Sequence, residues 1–102
     1  MTETQRMKIA AWEAAWEAID RVLWEVWDPI GVNAQPEVRD EYQGYINAVY
    51  GLLIGAASGA EIDTLLRRIE TEQMGLSNPS AAARSATIAA LRQIEPPIFF
   101  AP

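Results

Sequence analysis

A chain of 102 residues, half of them apolar, has the material for one small domain with its own hydrophobic core. It contains neither Cys nor His, which excludes disulfides, thiolate chemistry and any Ser–His or Cys–His nucleophile pair, and removes the usual zinc ligands. The net charge of −6 speaks against nucleic acid, because phosphate binding is driven by Lys and Arg.

Residues 4–27 read as one long helix. Ile9, Trp12, Trp16, Ile19, Leu23 and Val26 step by three and four, which puts them on one apolar stripe. Glu13, Glu17, Asp20, Arg21 and Glu25 take the other faces. Thr2 or Thr4 is the candidate N-cap, and Pro29 stops the helix. Trp12 and Trp16 share the inner face. Trp24 lies off the stripe and Trp27 at its edge, so Trp24 either covers the second or fourth helix or is the candidate exposed anchor for a partner.

The stretch WDPIGVNAQPEVRDEY, residues 27–42, carries two readings. As a connector, Pro29 and Gly31 set a turn, Asp28 caps backbone N–H groups, and Ile30 and Val32 tuck inward. Glu37, Asp40 and Glu41 then meet the positive end of the next helix, with Arg39 paired to one of them. As a recognition surface, the same acids face a partner from a loop held on a rigid scaffold. The spacing matches no calcium loop. Neither a metal site nor a cofactor is expected.

The second helix is predicted from about Pro36 to Ala56, with Tyr42, Ile46, Val49 and Leu53 inward and Gly55 at its fraying end. Ser58 and Glu61 form a capping-box pattern that opens a third helix running to about Met74. Its inner residues are Ile62, Leu65, Leu66 and Ile69. Arg67 and Arg68 are expected to pair with Asp63, Glu70 and Glu72. Gly75 reads as a left-handed C-cap. Asn78, followed by Pro79, is expected to start a fourth helix that buries Ala83, Ile88, Leu91 and Ile94. The predicted fold is all-α: a small four-helix, bundle-like single domain over residues 1–95, with an extended tail, PPIFFAP, over 96–102. No targeting segment or membrane span is recognised, and the cytoplasm is the expected location.

Charge is unevenly spread. Residues 1–45 hold nine acids and four bases, a balance of −5, and residues 46–102 hold five and four. The acidic side therefore belongs to the first helix and the loop after it.

The pattern W-D-P-I-G, then R-D-E-Y, then EIDTLLRRIETEQMGL, resembles a small uncharacterised bacterial all-helical protein family, over about residues 20–76. The resemblance implies a compact all-α domain and brings no activity with it. Members are similar in size and style to immunity proteins encoded beside bacterial toxins, an analogy of type only.

The functional expectation is a non-catalytic protein-binding module, not an enzyme. Its most specific form is an immunity or inhibitor protein that neutralises a basic toxin or enzyme. Glu17, Asp20, Glu25, Asp28, Glu37, Asp40 and Glu41 would supply the charge and Trp24 the anchor. Neither nucleic acid nor membrane is an expected partner. The alternative is a structural homo-oligomer in which Ile98, Phe99 and Phe100 of the tail dock on a second copy.

Overall fold

The computed structural model describes residues 2–94. The tail residues Ile98, Phe99 and Phe100, and whatever they dock on, lie outside the described residues. Four α-helices occur among those described: α1 (Glu3–Val22), α2 (Ile46–Ile54), α3 (Gly59–Arg68) and α4 (Ala81–Arg92). No strand occurs among them. The all-α, single-domain expectation matches this architecture.

Helix α1 opens with a capping box. The Gln5 backbone N–H donates to Thr2 Oγ1 at 3.1 Å, and the Thr2 N–H donates back to Gln5 Oε1 at 2.8 Å. Good helix formers follow, so the first turns need little tertiary support. They receive little. From Thr2 to Ala14 every residue except Ala11 is exposed. Ile9 and Trp12, predicted inside, are 43% and 45% exposed. Length explains the difference. A 20-residue helix spans about 30 Å, whereas α2 and α4 span only about 14 and 18 Å. They cover the stripe from Ala15 onward and leave the N-terminal half of α1 overhanging.

Two helices end in π-helical turns, Leu23–Trp27 after α1 and Ile69–Gln73 after α3. Each closes with a wide bond, from Asp28 N–H to the Leu23 carbonyl and from Met74 N–H to the Ile69 carbonyl, both at 3.0 Å. A π turn advances each residue through a smaller angle than an α turn, so the face shifts by about one position at its end. Trp27 therefore takes the inward place that the 3.6-residue period assigns to Val26. Trp27 is 1% exposed and Val26 37%. After α3 the same slip puts Met74, not Gln73, against the core.

The segment 36–45 is not the start of a long second helix. It forms two 3-10 turns, Pro36–Val38 and Gln43–Tyr45, before α2 begins at Ile46. Ser58 and Glu61 do form a reciprocal capping box on α3. Gly75 is left-handed at φ 69°, as expected of a C-cap. The fourth helix is capped by Ser80, whose Oγ accepts from Ala83 N–H at 3.1 Å, rather than by Asn78.

The core joins Ile19, Leu23, Trp24 and Trp27 from the first helix to Tyr42, Ile46 and Val49, to Ile62, Leu66 and Ile69, and to Leu91. Helix α1 packs on α2 and α4, α3 packs on α4, and the first π turn lies against α4.

Candidate functional site

The 27–42 stretch is held by two clamps. In the first, Asp28 adopts a left-handed conformation (φ 32°) directly before Pro29. Its Oδ1 accepts from Val32 N–H at 2.8 Å, and its Oδ2 from Asn33 N–H at 3.2 Å. The Tyr42 hydroxyl donates to Oδ1 at 2.6 Å and accepts from Ile30 N–H at 3.3 Å. The Tyr42 ring is buried against Trp24 and Trp27, at centroid distances of 6.0 and 5.5 Å. Burial, reinforced by the bond to Asp28, pushes the hydroxyl well above the ordinary tyrosine range, so it stays a neutral donor.

In the second clamp, Arg39 donates from Nη1 and Nη2 to Asp20 Oδ1 and Oδ2, at 3.0 and 2.9 Å. The guanidinium also lies 5.0 Å from the centroid of the Trp24 ring. Arg39 thus pairs across the fold with α1, not with Glu37, Asp40 or Glu41. Trp24 sits under this lid and is 7% exposed. The expectation of an exposed Trp24 anchor is corrected: the loop covers it.

A third network was not anticipated. Glu70, 1% exposed, accepts from Trp27 Nε1 at 2.8 Å and from Arg84 Nη1 at 2.8 Å. Arg84 Nε donates to Asp63 Oδ1 at 2.8 Å. The bond to Asp63 raises the Arg84 pKa, burial opposes it, and the contact with Glu70 adds to the rise. Arg84 thus replaces Arg67 and Arg68 as the partner of Asp63 and Glu70. One signal in the sequence is an arginine within an otherwise uncharged stretch, AAARSATIAAL.

The predicted site residues therefore divide. Asp20, Asp28 and Trp24 are built into the fold. Glu17, Glu25, Glu37, Asp40 and Glu41 are exposed, and none makes an ion pair among the described residues. The Arg39–Asp20 clamp holds the loop bearing Glu37, Asp40 and Glu41 against the α1 flank that bears Glu17. No three Asp or Glu side chains gather to hold a metal ion among the described residues. No described helix is long and apolar enough to cross a membrane. No protein-family profile, characterised protein or solved structure matches the chain.

Proposed function

We propose that the protein is a non-catalytic protein-binding module that meets a basic partner through the carboxylates of the α1 flank and the loop that follows it. One observation carries this reading. The structure uses Asp20, Asp28, Asp63 and Glu70 in internal bonds, and leaves Glu17, Glu25, Glu37, Asp40 and Glu41 exposed and outside any ion pair among the described residues. Their field stays available to steer a positively charged surface, and the two clamps hold the loop in one shape before binding.

An immunity or inhibitor role is the specific form of this proposal. A small rigid acidic domain of this kind would act by covering a basic active site. Tagged protein is expected to retain one basic partner from a lysate of its source cells at low salt, and to release it as salt screens the charges. A partner that is retained equally at high salt contradicts the electrostatic mechanism.

A further inference from the structure

The overhanging half of α1 presents a seam with no cover among the described residues. Gln5, Ile9 and Trp12 are exposed along it, and Trp16, half-buried against the core, ends it; the four are spaced by four, three and four, the heptad spacing by which one helix packs on another. This is the stripe that Ile19 and Leu23 bury further along, continued in register past the end of the bundle. Met7 beside it is 61% exposed.

We propose that this seam is a self-association surface whose occupant is α1 of a second copy, paired antiparallel about a twofold axis passing between residues 10 and 11. Two observations select this occupant. The first is charge. Arg6 and Glu13 lie one heptad apart on the same flank of the seam, both exposed, and neither makes an ion pair among the described residues. In an antiparallel twofold pair like flanks meet. Arg6 of each copy then faces Glu13 of the other, giving two ion pairs per dimer. The second is the position of the bundle. A parallel pair would bring both bundles to the same end, where α2 and α4 already cover the seam beyond Trp16. The antiparallel pair sets them at opposite ends.

The contact runs from Gln5 to Trp16, about 18 Å of helix. That is small for a stable interface, so the dimer is weak and concentration-dependent. It does not use Glu17, Glu25, Glu37, Asp40 or Glu41, and so stands apart from the partner-binding face.

Sedimentation across a concentration series tests the proposal on the full chain, with circular dichroism confirming the fold of each variant. Wild type self-associates. Arg6→Glu alone and Glu13→Arg alone each dissociate about tenfold more readily, because both pairs turn from attraction to repulsion. Mixing the two variants restores association, since every contact across the seam is again of opposite sign. The proposal is overturned if wild type stays monomeric throughout the series, or if the mixture associates no better than either variant alone. It is also overturned if Phe99→Ser/Phe100→Ser abolishes association while Arg6→Glu leaves it intact, which would place the interface in the tail.

Discussion

Trp27 and Glu70, 43 positions apart, meet at 2.8 Å, and each is delivered by a π-helical turn at the end of a helix. The indole N–H can only donate and the carboxylate only accept, so the bond satisfies both in the core. Arg84 supplies the counter-charge to the Glu70 carboxylate, which is 1% exposed. No buried side-chain polar atom lacks a partner among the described residues. The junction of α1, α3 and α4 is thus specified by one network of Trp27, Glu70, Arg84 and Asp63, and it can be taken apart residue by residue.

Removing Glu70 leaves Arg84 held only by Asp63, and strands the Trp27 N–H. Glu70→Ala is expected to cost about 3–5 kcal/mol, read from the urea midpoint. Glu70→Leu combined with Arg84→Met is expected to recover part of that loss, because it removes the buried charge with its partner. A double variant as unstable as the sum of the singles would show that the pair does not act as a unit.

Arg39→Ala removes the two bonds to Asp20 and uncovers Trp24. Because the Arg39 side chain is 40% exposed, solvent already weakens the pair, and the expected loss is about 1 kcal/mol. A double-mutant cycle with Asp20→Ala checks it. A coupling energy of zero would mean that the loop is held by something else.

Tyr42 predicts a loss of stability in alkali. Its pKa in the fold lies above that of the unfolded chain. The contribution is therefore complete below about pH 10, the ordinary tyrosine value. Above that, the unfolded chain gives up the proton first, and stability falls by about 1.4 kcal/mol per pH unit until the folded pKa is reached. Tyr42→Phe is less stable at neutral pH, having lost the bonds to Asp28 and Ile30. Its own alkaline decline should be shallower. Parallel profiles for the two proteins would contradict this account.

Ala56 closes α2 in a left-handed conformation, φ 55°, with its N–H on the Leu53 carbonyl and the Ala57 N–H on the Leu52 carbonyl. Glycine is the residue that normally fills this place in the end-of-helix motif. Ala56→Gly should raise stability by about 0.5 kcal/mol, strain relief exceeding the entropy lost. Gly75→Ala, at φ 69°, should lower it by about 1 kcal/mol. Thermal unfolding of the pair reads both signs.

Local signals were legible in the chain. The Ser58–Glu61 capping box, the Gly75 cap, the helix-stopping Pro29 and the capping by Asp28 depend on a few neighbouring residues, and all are present in the fold. What periodicity misread depends on neighbours far along the chain. Trp12 has the spacing of a core residue, yet the helices that would cover it are too short. Val26 and Trp27 exchange places because a π turn breaks the period. Arg39 has acids on both sides in sequence and bonds to one nineteen positions away. Trp24 is buried for the same reason, since the lid over it is Arg39. The candidate site follows suit: charge counting finds the acidic side, but only the fold separates the acids in structural use from those left free.

One comparison decides whether the exposed carboxylates hold the partner. The Glu25→Lys/Glu37→Lys/Asp40→Lys/Glu41→Lys variant touches only exposed carboxylates that make no ion pair among the described residues, so it should fold as wild type does. Reversing Asp20 or Asp28 would instead break a clamp. Binding of the partner retained by wild type is then measured side by side for wild type and the variant at low salt. An intact fold and loss of the partner are expected. A folded variant that binds the same partner with unchanged affinity would contradict the proposal.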